Sequence, residues 1–376
     1  MRYSIAAAAI LLLAVPASEA RKPARAKNVI LFLADAGGVA TMNAASILGH
    51  GAPQKLFVQS WPDMGLSDTS PAGGWVTDSA AGMTAIVTGV KTLNGVVSQG
   101  PDAVRGKKDG AMLKTILEHA EERGLSTGVL TNVVAADATP AACYAHVSDR
   151  RSMGEVFLQA LEPLFGDGVD VVMGLGRQRI YDGVKEKGKD LDQVAAAKGR
   201  RILSNVADIP ESEARPIVLA EKSIDLPAAA RRSIRALSAN KKGYFLMIEW
   251  DTHTDDPEKG LNNMINFDKL IREIAGTVDP KETLLVFTAD HSFDLRVAGG
   301  KQSDPLLAGF AEWKKTHKAS DPVKLAALRV DHSHTGEEVV VAARGPGAER
   351  VRGFLPNTRI FDVMMAAYGW KAWPGK

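Results

Sequence analysis

The chain has 376 residues, with 46 basic and 44 acidic side chains and a formal net charge of +2. That balance gives no electrostatic case for nucleic acid or an acidic membrane surface as a partner. A single cysteine, Cys143, excludes an intramolecular disulfide, so stability must come from a large core or from bound metal.

Residues 1–20, MRYSIAAAAILLLAVPASEA, combine an early Arg2, an apolar stretch over 5–15 and a small-x-small end. They predict a signal peptide cleaved after Ala20, and export to the periplasm or the medium. The apolar stretch is short for a membrane span, and no later run approaches the ~18 apolar residues that a span needs. Residues 21–376 read as one domain. It opens with a basic lead-in, RKPARAK (21–27), and has a more polar, weakly periodic elaboration around 177–240.

NVILFLAD (28–35) is a continuous apolar run ending on an acid, the pattern of a strand buried on both faces of a parallel sheet. TGVLTNVV (127–134), VDVVMGLG (169–176), GYFLMIE (243–249), TLLVFTAD (283–290) and EEVVVAARG (337–345) repeat it. Apolar residues three and four apart predict helices over 110–123, 153–163, 227–237, 260–276 and 358–368. Strands alternating with helices define an α/β fold, with a doubly wound, mostly parallel central sheet flanked by helices on both faces. Ligands of such sheets gather beyond the carboxyl ends of the strands. Three strands end there on acids: Asp35, Glu249 and Asp290. One such acid is ordinary solvation, whereas three at one sheet edge indicate a cation site.

The histidines divide in the same way. His50, His119 and His317 lie in polar or helical contexts and read as surface or capping residues. His253 (EWDTHTDDP), His291 (TADHS) and His334 (DHSHTGEE) each lie beside acids in loops next to strands. Imidazole and carboxylate without thiolate suit zinc or similar divalent ions. Cys143, in an Ala-rich run, reads as a buried small hydrophobe. Ser79 follows Asp78 at a predicted helix start, in VTDSAAGMTAIVTGVKTLNG, and taken alone reads as an N-capping serine.

Four segments, VTDSAAGMTAIVTGVKTLNG, DATPAACYAHVSDR, TADHS and HTGEEVVVAARGPGAE, occur in the order in which they occur in the alkaline phosphatases. The chain resembles that family over most of 28–368. The resemblance implies a phosphomonoesterase acting on small phosphate monoesters, with two zinc ions or similar divalent metals and one magnesium ion. Many members are homodimers, although no interface is legible here. By the same resemblance Ser79 is the nucleophile that carries a covalent phosphoryl group, and Arg150 clamps two phosphate oxygens. Asp35, Asp290 and His291 match ligands of the metal that activates the serine, and His334 a ligand of the metal that activates water. Asp137 and Thr139 match the surroundings of the third, magnesium site.

Two departures stand out. The first acid is flanked as ADAGG, where the family commonly has glycine on both sides. In IEWDTHTDDP the family's ligand spacing is compressed. Either Glu249 joins His253 on the water-activating metal and the third site lacks a ligand, or Glu249 serves the third site and Asp251 accompanies His253. Other readings are a phosphodiesterase or other hydrolase of the same superfamily, and a relative that binds metal or phosphate without turnover. An ordinary serine hydrolase is disfavoured, because D-S-A-A-G is not a G-x-S-x-G elbow.

Overall fold

The first strand, β1 (Asn28–Asp35), is buried along nearly its whole length, as its unbroken apolar run predicts. The computed structural model describes residues 25–371, so the expected signal peptide (1–20), most of the lead-in and residues 372–376 lie outside the described residues. The further strands in chain order are β2 (Asp63–Ser67), β3 (Ser126–Val134), β4 (Val171–Leu175), β5 (Ile202–Leu203), β6 (Ile217–Leu219) and β7 (Tyr244–Asp251). They continue with β8 (Thr283–Thr288), β9 (Ser292–Val297), β10 (Val323–Lys324), β11 (Leu328–Thr335), β12 (Val339–Arg344) and β13 (Gly353–Leu355).

Among the described residues, ten strands form one sheet in the order β13-β2-β12-β8-β1-β7-β3-β4-β6-β5. All its pairings are parallel except those of β12, which runs against both β8 and β2. Alternation along β1 supplies a core on each face. Val29, Leu31 and Leu33 pack with the helices Ser79–Thr88, Ile116–Glu122 and Arg359–Tyr368. Ile30, Phe32 and Ala34 pack with the helices Val39–His50, Leu226–Leu237 and Pro257–Thr277. Each large apolar side chain buried this way contributes about 1.5–3 kcal/mol relative to exposure.

Several sequence-based boundaries move. The helix expected over 110–123 is only Ile116–Glu122, because Thr115 and Glu118 close a capping box that starts it there. TLLVFTAD leaves the ladder at Thr288, so Asp290 stands in the turn beyond it. Residues 177–240 hold regular structure: the helices Arg177–Glu186, Leu191–Ala197 and Leu226–Leu237, and strands β5 and β6 at one edge of the main sheet. A second sheet, β10-β11-β9, packs outside the first and carries His334. Cys143 is fully buried, and burial pushes its thiol well above the usual range, as expected of a small hydrophobe. His119 is not a surface residue; it is buried against the Phe361 ring with Arg123 on its Nδ1.

Candidate active site

The carboxyl ends of three adjacent strands, β8, β1 and β7, meet at the middle of the sheet, and the chain crosses to either side of β1 there. This is the switch point where doubly wound sheets form ligand sites. In the β1–β7 register Leu33 is paired with Glu249 and Asp35 with Asp251, so both carboxylates of β7 project from the face that Asp35 uses. Immediately after Asp35, Ala36 adopts φ +64°, a left-handed conformation that favours glycine and costs a non-glycine residue about 1 kcal/mol. The backbone N–H of Ala36 donates to Asp290 Oδ1 at 3.3 Å, which ties the two turns together.

Ser79 opens the helix Ser79–Thr88 but does not cap it. The cap is Asp78, whose Oδ1 accepts from the Ala81 N–H at 3.0 Å. The Ser79 hydroxyl is therefore free of capping. It lies 3.3 Å from His291 Nε2 and 3.5 Å from Asp35 Oδ1. The small residues around it serve packing: Ala80 and Ala81 are buried, and a Cβ on Gly82 would meet the Asp290 carbonyl oxygen at 2.5 Å. Only glycine lets this helix lie directly on the Asp290 turn.

Among the described residues, two groups of side chains could each hold a cation: Asp35, Asp290 and His291, and His253, His291 and His334. In all three histidines Nδ1 is engaged by an oxygen: His291 by Ser292 O at 3.0 Å, His334 by Thr77 O at 2.9 Å, His253 by Asp251 Oδ1 at 2.9 Å. In the neutral ring, a proton held on Nδ1 by that oxygen leaves the Nε2 lone pair for a cation, which is the outer support that metal-bound imidazoles require. The rings stand close together, His291 stacked on His334 at 3.8 Å between centroids and His253 5.7 Å from His334.

The electrostatics are those of a site that attracts cations. Burial opposes protonation of His253, yet Asp35 and Asp251 outweigh it and raise its pKa to about 9. Burial and the Asp35 charge raise Asp290 to about 6, against the pull of His291 and His253. Asp35 goes the other way: burial would raise it, but His253 and His291 hold it well below the usual carboxylate range. The donor set thus fits hard-to-borderline divalent ions.

The remaining expected residues divide between those inside the cluster and those beside it. Asp251 joins neither group; its Oδ1 accepts from the backbone N–H and Nδ1 of His253 and orients that ring. Glu249 is fully buried, and neither carboxylate oxygen has a hydrogen-bond partner among the described residues. Burial pushes its carboxyl far upward, and Asp35, Asp137 and Asp290 push the same way. A charged group in that position needs a cation. Thr139 Oγ1 lies 3.5 Å from Asp290 Oδ2. Asp137 caps the next short helix and accepts from Arg150 at 2.9 Å, while the other arm of Arg150 reaches Asp78 Oδ2 at 3.1 Å. Arg150 is thereby aimed across the turn that carries Ser79, with further N–H donors in reserve.

Sequence reasoning did not single out Asp78 or Phe293. Asp78 was overlooked because Asp and Ser are equally good caps and stand side by side. Phe293 packs its ring 5.1 Å from His253 and 6.0 Å from His334, and only the second sheet brings it there.

A sequence profile of the alkaline phosphatase family matches residues 26–220 and 221–325. The chain is 29% identical to streptomycin-6-phosphate phosphatase of Streptomyces griseus, covering 94% of this chain and 93% of that protein. It is 27% identical to the alkaline phosphatase of Escherichia coli, over 92% and 87% of the two chains. Its fold is similar to that of the Thermus thermophilus alkaline phosphatase, with a TM-score of 0.77 at 20% identity over 96% of each chain. The alkaline phosphatase of the Antarctic bacterium TAB5 gives 0.73 at 23% identity over 93% of this chain and 100% of the other. With the motif order, the sheet and the ligand-rich switch point in agreement, the chain belongs to the alkaline phosphatase family.

Proposed function

We propose that the protein is an exported, metal-dependent phosphomonoesterase that works through a phosphoseryl intermediate on Ser79. The observation that carries this reading is the position of the Ser79 hydroxyl, uncapped and within 3.5 Å of Asp35 and His291, where the two cation-binding groups share His291. Export rests on the leader at 1–20, and among the described residues no helix is long and apolar enough to cross a membrane.

Asp35, Asp290 and His291 would hold the cation beside the serine, and His253 and His334 the second. Glu249 and Thr139 would serve a third ion, whose charge answers the unpartnered carboxylate; zinc suits the histidine-rich positions and magnesium the oxygen-rich one. Bound divalent ions supply Lewis acidity, which makes a serine hydroxyl nucleophilic at neutral pH, and charge to offset the leaving oxygen.

The chain's own residues do the rest. Ser79 Oγ gives up its proton to solvent and attacks phosphorus, the ester P–O bond breaks, and the leaving oxygen departs on the opposite side, taking a proton from solvent. Arg150 presents a planar fork of donors to the non-bridging oxygens, which a lysine could not match. The N-terminus of the Ser79–Thr88 helix adds favourable polarity for the phosphoryl group. Water then attacks the phosphoserine, releasing inorganic phosphate and restoring the hydroxyl. Positioning and charge neutralisation dominate, as phosphoryl transfer demands.

The test is steady-state turnover of an aryl phosphate by wild-type and Ser79→Ala protein, before and after chelation and metal return. Loss of several powers of ten for the variant, with chelation reversible by divalent ions, supports the reading. Near-normal turnover by Ser79→Ala refutes it. Aryl diester and sulfate substrates in the same assay separate a monoesterase from its superfamily relatives.

A further inference from the structure

The segment KTLNG (91–95) closes the motif that begins with the nucleophile, and none of its residues belongs to the cation-binding groups. Asn94 is exposed, yet both ends of its amide are used. Its Oδ1 accepts from the backbone N–H of Asp78 at 3.1 Å, and its Nδ2 donates to the carbonyl of Val76 at 3.0 Å. The side chain thus clasps the turn that delivers Ser79, whose Thr77 carbonyl also accepts from His334 Nδ1 at 2.9 Å. The next residue, Gly95, accepts on its carbonyl from the backbone N–H of Arg150 at 2.8 Å. Gly95 has φ +83°, so the chain reverses there in a conformation that suits glycine.

These bonds close a circuit. Asn94 holds the backbone of Asp78, the Asp78 carboxylate holds the Arg150 guanidinium at 3.1 Å, and the Arg150 backbone returns to Gly95. Two ends of one dipeptide therefore set the spacing between the helix that carries Ser79 and the strand-free segment that carries Arg150. We propose that Asn94–Gly95 is a positioning brace that fixes the distance between the nucleophile and the arginine clamp, and so sets the affinity for the phosphoryl group. The proposal rests on the assignment of Ser79 and Arg150 to phosphate chemistry made above.

Such a brace acts through other residues, so its removal has a distinct signature. Asn94 packs no core, and its two hydrogen bonds lie at the surface. Loss of a neutral hydrogen bond of this kind corresponds to roughly a two- to tenfold change in an equilibrium constant. The experiment measures inorganic phosphate binding by calorimetry, KM and kcat for an aryl phosphate, and thermal midpoint, on metal-loaded wild-type, Asn94→Ala and Asn94→Asp proteins. Asn94→Asp keeps the acceptor for Asp78 and loses the donor to Val76. The expected result is a three- to tenfold weaker phosphate affinity and a matching rise in KM for Asn94→Ala, an intermediate effect for Asn94→Asp, and a nearly unchanged thermal midpoint. Unchanged phosphate affinity and KM in Asn94→Ala overturns the brace. So does a fall in kcat alone that tracks a lower thermal midpoint, since that is the pattern of a merely structural residue. Neither outcome touches the role of Ser79, which the alanine variant at that position tests separately.

Discussion

Gly82→Ala is a minimal change that pulls the Ser79–Thr88 helix away from the Asp290 turn. The added Cβ would stand 2.5 Å from the Asp290 carbonyl oxygen, 3.1 Å from its carbonyl carbon and 3.2 Å from its Cβ. Ordinary contact is about 3.4 Å, so relief requires a displacement of about 0.9 Å (3.4 − 2.5) between backbone segments that have no flexible end to yield. Overpacking of this kind costs about 1–3 kcal/mol, against about 1 kcal/mol regained from replacing glycine in a helix. The effect on chemistry is larger, because misplacement of reacting groups by ~1 Å can cost ~100-fold in rate. Turnover of an aryl phosphate at saturating metal is therefore expected to fall about 100-fold while the thermal midpoint changes little. Gly276→Ala is the control: that glycine lies in the helix Pro257–Thr277 with nothing within 4 Å of a new Cβ, and the change is expected to leave turnover intact. Wild-type turnover in Gly82→Ala would refute the contact as the reason for glycine at this position.

Glu249→Gln removes a buried carboxyl that must take up a proton on folding, because burial pushes it far above its ordinary range, so metal-free protein is expected to gain about 1 kcal/mol or more in stability at neutral pH, where the unfolded chain holds that carboxyl ionised. If magnesium raises the thermal midpoint of the wild type, the same variant should lose most of that rise, and an unaltered magnesium response would count against Glu249 as its ligand. Glu118→Ala breaks the capping box and strands His146, whose Nε2 it holds at 2.7 Å inside the core. Denaturant unfolding should show a loss of about 3–5 kcal/mol, and a loss below 1 kcal/mol would show the pair to be dispensable. His119 supplies a pH dependence: burial and the Arg123 charge lower its pKa to about 4. The unfolded chain then binds the extra proton between about pH 6.5 and 4, so this contribution is complete above 6.5 and is lost as pH falls through that window. In His119→Gln that segment of the stability curve should flatten, and an unchanged slope would assign it to other groups.

The legible parts of the fold were those where one signal dominates. The apolar runs of β1, β3, β7 and β8 announce buried parallel strands, and the acids at or just beyond the ends of β1, β7 and β8 mark the sheet edge that holds the cluster. Strands β5 and β6, with two and three residues, are too short to show a period. Strands β9 and β11 read SFDLRV and LRVDHSHT, with polar and half-exposed residues where a buried run was sought. The antiparallel sense of β12 is set by pairing partners far away in sequence, and so has no local signature. At the site, residue types were readable but their connections were not. Spacing alone could not divide roles between Glu249 and Asp251; in the structure Asp251 turns to His253, and Glu249 is buried with no hydrogen-bond partner among the described residues. Likewise the cap passed from Ser79 to Asp78 because backbone geometry at the helix start, not composition, selects which oxygen reaches the Ala81 N–H.

The central claim is that Ser79 forms a covalent bond to phosphorus. It is tested most directly by incubating metal-loaded protein with a phosphate monoester, quenching in acid, and mapping the labelled peptide by mass spectrometry. The account predicts a phosphoryl group on Ser79 in the wild type and none in Ser79→Ala. Turnover accompanied by a phosphoryl group on another residue, or sustained turnover by Ser79→Ala, would contradict it.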